Sequence, residues 1–310
     1  MKLSIVIPSY NARALLRRTL IALEQALPDA AEVVVIDGQS ADGSLAMVEA
    51  EFPWVRAFSC ENHGFAHATN RGLEKARGEL LLLLNSDAFL SREALLAMQR
   101  RLTEDHGVGA VAPVLLNEDG TKQHLFGAFG MLYWANWMTV REPSAVPLLS
   151  FACLMTRRDV LREVGAFDEN FFLYNEEYDW CTRAHRAGYR LEILPESVVH
   201  VGSGSTKPSP ELVIEAHRGF LYFVHKHGPP VVADLLRRAM HFEGYCYSRI
   251  DPRSAVHRRM WAKLESLTGQ KDLLDSPFRL SGRGDQPARP SWKGVDRSLE
   301  NAPAPLRAAS

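Results

Sequence analysis

A chain of 310 residues, 46% hydrophobic and 24% charged, with a formal net charge of −1, has the material for one large or two moderate globular domains. The near-neutral charge argues against bulk nucleic-acid binding, and no apolar run approaches the roughly 18 residues of a membrane-spanning helix. Cys60, Cys153, Cys181 and Cys246 are widely spaced with no CxxC pair, which argues against a zinc site or a disulfide scaffold and fits a reducing cytosol.

Strand and helix signals alternate along the chain. Residues 3–7, LSIVI, read as a buried strand that Pro8 ends before it could form the core of a signal peptide. Asn11 is placed to cap a helix whose apolar positions Leu15, Leu16, Leu20 and Leu23 recur at helical spacing. Residues 32–36 are a second strand, and the polar, glycine-containing loop 37–43 leads into a helix over 44–51. Residues 54–59 supply a third strand, 62–78 a loop and helix, and 79–84 a fourth strand. A helix from Ser91 to about Glu104 and a strand over 108–112 follow. The alternation predicts an α/β fold, a doubly wound, mainly parallel sheet with helices on both faces.

The fourth strand organises the rest. Five consecutive leucines, Leu80 to Leu84, run directly into Asn85, Ser86 and Asp87, which fits a strand buried on both faces with an acid at its carboxyl end. Ligands of open α/β sheets bind beyond the carboxyl ends of the strands, so Asp87 is positioned to hold a metal against a phosphate. The same three residues also read as a turn and cap for the following helix. Asp37, Asp42, Asn62 and Asn70 fall after other predicted strands or at the helix starts behind them, along one edge of a parallel sheet. Singly, Asp42 reads as a helix cap, Asn62 and Gly64 as a turn, and Asn70 as an exposed helical residue. The first loop, Pro8-Ser9-Tyr10-Asn11, has neither a GxGxxG nor a Walker pattern, which argues against a dehydrogenase or an ordinary NTPase.

Residues 117–147 carry Phe126, Phe129, Tyr133, Trp134 and Trp137 among turn formers and read as a mobile loop at the site or as a second small core. Glu176, Glu177 and Asp179 open a helix that closes at Gly188. Acids in a first turn are favoured by the helix dipole and Asp179 pairs with Arg183 at i,i+4; alternatively one of these carboxylates is a general base. His200 ends an apolar strand over 197–201, where a lone histidine is ordinarily a satisfied core residue. Helical spacing over 211–227 and 231–270 puts Leu235, Leu236, Met240 and Tyr245 on one side. With few arginines (Arg237, Arg238, Arg258), the stripe reads as a packing face against the parent domain, ahead of a membrane or lipid-acceptor surface. Residues 277–310, rich in Pro, Gly, Ser and Arg, read as a disordered tail.

Four motifs appear in order: SIVIPSYNA at residues 4–12, VVIDGQSADGS at 34–44, NHGFAHATNRG at 62–72, and SFACLMTRRDVLREVGAFDENFFLYNEEYDWCTRAHRAGYRLEILPESVVHVGSGS at 150–205. Together they resemble the family 2 glycosyltransferases, and most of all their bacterial rhamnosyltransferase-like branch. The resemblance covers residues 2–205. It implies the GT-A fold, a nucleotide-diphosphate sugar donor, Mg2+ or Mn2+, and inversion of the anomeric centre. The organisation expected is a GT-A catalytic domain over 1–205, a helical extension over 206–275 and a disordered tail over 276–310.

On this likeness Pro8, Tyr10 and Asn11 line the nucleotide pocket, Asp37 reads the base and Asp42 lies nearby. Asn62, Gly64 and Asn70 match the second nucleotide-sugar loop. Asn85-Ser86-Asp87 stands where the family keeps its metal-binding DxD-like motif, with only the last carboxylate retained, so Asp87 is the expected acid ligand and His200 a further one. Glu177 occupies the position of the family's base, more often Asp, which leaves the base between Glu177 and Asp179. A divalent cation lowers the cost of charge on a diphosphate leaving group; one carboxylate suits Mg2+, and a histidine tilts the preference towards Mn2+. The expected reaction transfers a sugar, with rhamnose the candidate, to a polysaccharide or lipid-linked saccharide of the cell envelope, in the cytoplasm or at the inner face of the membrane. An inactive nucleotide-sugar-binding scaffold and a sugar nucleotidyltransferase are the rivals. Retention of Asp87, Glu177 and His200 argues against the first, and the lack of a glycine- and lysine-bearing loop near Pro8 against the second. The residues do not identify the sugar, the base (uridine or thymidine), the acceptor or the oligomeric state.

Overall fold

The computed structural model describes residues 2–28, 31–123, 146, 148–202, 210–250 and 255–269. Its strands are β1 (Leu3–Ser9), β2 (Ala31–Asp37), β3 (Arg56–Ser59), β4 (Leu80–Leu84), β5 (Ala88–Phe89), β6 (Val108–Leu116), β7 (Cys153–Arg157) and β8 (Arg190–His200). They form one eight-stranded sheet in the order β3-β2-β1-β4-β7-β6-β8-β5. Parallel pairing joins β3, β2, β1 and β4, as the alternation predicts, and recurs between β6 and β8. β7 departs from it and runs antiparallel to both β4 and β6. β4 and β7 are far apart in the chain, so local alternation says nothing of their mutual direction. The two-residue β5 was not foreseen; it pairs antiparallel with β8 at the sheet edge.

The helices are α1 (Arg13–Ala26), α2 (Ser44–Glu51), α3 (Phe65–Lys75), α4 (Arg92–Glu104), α5 (Arg158–Val164), α6 (Glu176–Arg186), α7 (Pro210–His227), α8 (Pro230–Ile250) and α9 (Ala255–Gly269). They cover both faces of the sheet. Leu80, Leu82 and Leu84 pack in one core with Leu16, Leu20 and Leu23 of α1 and Leu95 and Met98 of α4. Leu81 and Leu83 pack in the other, with Leu73 of α3, Leu161 of α5 and Trp180 of α6. The five-leucine run is therefore buried on both faces, at about 1.5–3 kcal/mol for each side chain.

α4 begins next to Ser91 as expected, but its cap is Ser91 itself, with Oγ accepting from Ala94 N at 3.2 Å, and not Asn85, Ser86 or Asp87. Asn11 does not cap α1. The N-cap is Ala12 with no side-chain bond, because Asn11 adopts a φ of 48° and turns its side chain to the neighbouring loop. The C-terminal stripe also splits. Leu236 and Met240 pack into the second core, whereas Leu235 and Tyr245 are exposed. Adjacent helical residues lie about 100° apart, so Leu235 and Leu236 cannot both face inward. Among the described residues no helix is long and apolar enough to cross a membrane. The aromatic group Phe126, Phe129, Tyr133, Trp134 and Trp137, and the tail over 277–310, lie outside the described residues.

Candidate active site

β1 and β2 end in register, Ser9 beside Asp37, and the loops beyond them meet. Gly38 N donates to Ser9 O at 2.8 Å. Asp37 is buried and its Oδ2 accepts from Ser40 N at 2.8 Å, but its Oδ1 and the nearby Ser9 Oγ are buried without a partner among the described residues. An unmade bond of this kind costs about 1–3 kcal/mol, so two at one pair of strand ends make this edge a candidate binding place. A Cβ built on Gly38 would lie 3.5 Å from the Tyr10 ring and 3.6 Å from Asn62, which puts Tyr10, Asp37 and Asn62 in one cluster. Pro8 is buried within β1, in register with Ile36.

Asn11 and Asp42 hold loops together. Asn11 Oδ1 accepts from Ala41 N at 2.8 Å while Asn11 N donates to Ser40 Oγ at 2.8 Å. Asp42 accepts from Arg13 N at 2.8 Å and from Ser44 N and Oγ at 3.0 and 2.6 Å, so one carboxylate serves the first turns of both α1 and α2. Partial burial raises its pKa less than these donors lower it, and it stays ionised.

Gly64 has a φ of 102°, and a Cβ there would lie 2.1 Å from Phe172 O, the atom that accepts from Phe65 N at 2.8 Å. Only glycine allows that approach. Asn70 is buried within α3 instead of exposed at the sheet edge. Its Nδ2 donates to Phe167 O and Glu169 Oε1, both at 2.9 Å, and its Oδ1 accepts from Phe167 N at 3.1 Å. The structure therefore makes Asn70 a brace between α3 and the segment 167–169. Glu169 completes the brace with His67 Nδ1 at 2.8 Å. Its sequence carries no sign of this role, because its partners are about a hundred positions away.

Beyond β4 the chain turns through Asn85 and Ser86, with Ala88 N donating to Asn85 O at 3.2 Å and Thr19 Oγ1 to Ser86 O at 2.8 Å. β5 then pairs Ala88 with His200 of β8, and Val201 N donates to Asp87 O at 3.0 Å. That pairing sets His200 Nε2 3.2 Å from Asp87 Oδ1. Asp87 is buried and His200 half-buried. Asn85 Nδ2 lies 3.3 Å from Nε2, and Asn85 Oδ1 is buried without a partner among the described residues. On the far side of the ring, Nδ1 faces Gln123 Oε1 at 2.9 Å. No motif marks Gln123 in the sequence. Among the described residues no three His, Cys, Asp or Glu side chains gather into a metal cage. A carboxylate oxygen, an imidazole nitrogen and an orphaned amide oxygen in one corner nevertheless fit a divalent cation that takes its other ligands from a bound molecule.

Tyr174 and Asn175, with φ of 69° and 70°, turn the chain into α6. Such conformations cost about 1–2 kcal/mol each for residues other than glycine, and α7 restrains them. Its buried pair Glu215–Arg218, at 2.5 Å, receives Phe172 N at 3.2 Å and donates to Asn170 O at 2.7 Å, while Asn175 Nδ2 donates to Ala216 O at 3.1 Å. Glu176 is buried and Glu177 half-buried; each has an Oε2 that is enclosed and without a partner among the described residues. Burial raises the pKa of both, Glu176 furthest because Glu177 adds its charge. Asp179 behaves oppositely. Burial would raise it, but Arg183 at 2.9 Å, with Lys226 and His227 both at 2.7 Å, outweighs burial and holds it far below the usual range.

A family model described as Glycosyl transferase family 2 matches residues 4–165, just over half of the chain. The N-acetylglucosaminyl-diphospho-decaprenol L-rhamnosyltransferase of Mycobacterium tuberculosis is 26% identical over 254 residues, covering 71% of this chain and 82% of that protein. The uncharacterized glycosyltransferase YfnE of Bacillus subtilis is 37% identical over 97 residues, 30% of this chain and 25% of its own length. Among solved structures, the mannosyltransferase PcManGT from Pyrobaculum calidifontis, in complex with GDP-Man and Mn2+, superposes with a TM-score of 0.56 at 23% identity, over 85% of this chain and 73% of that one. That likeness is one of fold and gives this sheet and its flanking helices the GT-A arrangement. With the family model running from β1 to the end of α5, the chain belongs to glycosyl transferase family 2.

Proposed function

We propose that the protein is an inverting, divalent-metal-dependent glycosyltransferase. In this reading it moves a sugar, rhamnose in the first instance, from a nucleotide-diphosphate donor to a polysaccharide or lipid-linked saccharide at the cytoplasmic face of a membrane. The observation that carries it is the corner where Asp87 Oδ1 and His200 Nε2 stand 3.2 Å apart beside the orphaned Asn85 Oδ1. Three electron-rich atoms gathered at a sheet edge favour a positive charge beside them. Asp87 and His200 would hold the cation. When bound, it neutralises the charge that builds on the diphosphate as the glycosidic bond breaks.

The chain's own groups do the rest. Ser9, Tyr10, Asp37 and Asn62 hold the nucleoside, on loops that Asn11, Asp42, Gly64 and Asn70 keep in place. Glu177 takes the proton from the acceptor hydroxyl as that oxygen attacks the anomeric carbon opposite the diphosphate, which inverts the centre. Its half-burial leaves it more accessible than Glu176, and its raised pKa makes it a better proton acceptor than Asp179, which three cationic or hydrogen-bonding partners keep ionised. The Mycobacterium relative, named for rhamnosyl transfer to a diphospho-decaprenol acceptor, supports the sugar and the lipid linkage; Mn2+ bound with GDP-Man in PcManGT supports the cation.

A thermal-shift screen of uridine, thymidine and guanosine diphosphate sugars, each with Mg2+ or Mn2+, tests the reading. A donor at 100 times its Kd stabilises by about 2.7 kcal/mol, and NMR of the product from that donor reads the anomeric configuration. Binding without turnover on any saccharide acceptor would support the scaffold alternative. Release of pyrophosphate from an NTP and a sugar phosphate would support a nucleotidyltransferase.

A further inference from the structure

We propose that Gln123 is a positioning residue that locks the tautomer of His200, so that the Nε2 lone pair faces Asp87 before any cation arrives. The proposal rests on the metal reading above, but its geometry is independent of it.

The amide of Gln123 has no freedom in its assignment. One end lies 2.6 Å from the backbone carbonyl of His200 and 2.9 Å from Asn117 Oδ1. A backbone carbonyl can only accept, so that end is the NH2. The other end, Oε1, therefore faces His200 Nδ1 at 2.9 Å, and an amide oxygen can only accept. Nδ1 must carry the hydrogen. In the neutral ring Nε2 is then bare, and it is the atom 3.2 Å from Asp87 Oδ1 and 3.3 Å from Asn85 Nδ2. Asn85 follows in turn: it presents its NH2 to Nε2, which leaves Asn85 Oδ1 as the unpartnered oxygen of the corner. One backbone carbonyl thus orders three side chains. Without that order, neutral His200 would place a hydrogen on Nε2, donate it to Asp87, and withdraw both groups from a cation.

Gln123 is itself well placed. Its N–H donates to Leu115 O at 2.9 Å, and the turn before it is closed by Asn117 N to Thr121 O at 2.8 Å and Gly120 N to Asn117 O at 2.9 Å. The turn returns the chain to the end of β6, parallel neighbour of β8, and so brings Gln123 to the strand that carries His200.

The test uses the full chain, labelled with 15N-histidine and freed of metal, at a pH where the ring is neutral. Wild-type His200 should show the Nδ1–H tautomer, and its Mn2+ affinity, read by EPR without any sugar donor, provides the second measure. Gln123→Ala should give a mixture of tautomers and weaken Mn2+ by roughly 10- to 100-fold. Gln123→Glu keeps the acceptor for Nδ1–H but loses both NH2 bonds, so it should retain the Nδ1–H tautomer. A role confined to stapling the 117–123 turn predicts the reverse, with Glu as damaging as Ala. An Nε2–H tautomer in the wild type, or unchanged tautomer and affinity in Gln123→Ala, overturns the proposal. A wild type that is Nδ1–H yet binds no Mn2+ would support the tautomer lock and overturn the metal reading instead.

Discussion

Asp87 Oδ1 and His200 Nε2 stand 3.2 Å apart because a two-residue strand, β5, pairs with the last residues of β8. Asp87→Ala removes the only carboxylate of this corner among the described residues, so transfer should be lost while the fold, judged by thermal melting, persists. His200→Ala should weaken Mn2+ by roughly 10- to 100-fold, and EDTA should silence the wild type. Undiminished transfer after exhaustive dialysis against EDTA would sink the metal reading.

Glu177 and Asp179 lie on one helix but in opposite electrostatic settings. Glu177→Gln keeps the shape and removes the base, so turnover should fall by about 10²- to 10⁴-fold with donor affinity nearly unchanged. Asp179→Asn should act mainly on stability, since it leaves Arg183, Lys226 and His227 around a neutral group. A well-folded Asp179→Asn protein without turnover, beside an active Glu177→Gln, would reassign the base.

Asp179 and Glu176, on the same helix, have opposite pH signatures. Asp179 has a lowered folded pKa, so its stabilisation is present above the ordinary aspartate value of 3.8 and is lost as pH falls through the lower folded value. The stability gap between wild type and Asp179→Asn should therefore narrow below about pH 3.8. Glu176 has a raised folded pKa; its contribution is favourable below 4.5 and is lost as pH rises towards the folded value. Glu176→Gln should be relatively more stable at neutral pH than at pH 4. Chemical denaturation at three or four pH values separates the two slopes.

Activity should follow Glu177. Its raised pKa places the acid limb of the kcat/KM profile above the ordinary glutamate value of 4.5. A limb at or below 4.5 would mean that a different group takes the proton.

Gly64→Ala forces a Cβ to within 2.1 Å of Phe172 O at a positive φ. The expected cost is about 1–3 kcal/mol, seen as a lower Tm, with donor affinity reduced because Asn62 moves with the loop. An unchanged Tm would show that the approach of the two loops is not required.

The sequence by itself determined the layered architecture and pointed to the strand-end half of the candidate site. Five leucines in a row leave no polar face, so β4 had to lie between two helical layers, and whatever followed Leu84 had to emerge at the sheet edge. Tyr10 and Asp37 were legible for the same reason: they follow short apolar strands, whereas Ser9 enters only through its buried, unpartnered hydroxyl in the folded chain. Tertiary structure alone decided what lies opposite them. The pairing of Asp87 with His200 depends on β5, too short to carry a periodic signal, and the ordering of His200 by Gln123 depends on a turn without a motif. The inward rotation of Asn70, the clamping of the 170–172 loop by Glu215 and Arg218, and the bond from Asn175 to Ala216 are likewise contacts between distant segments. Hydrophobic periodicity records which face of an element is buried, but a hydrogen bond between residues far apart leaves no trace in the local order of either. The fold could be read along the chain, whereas the roles of its polar groups were set by what folding brought beside them.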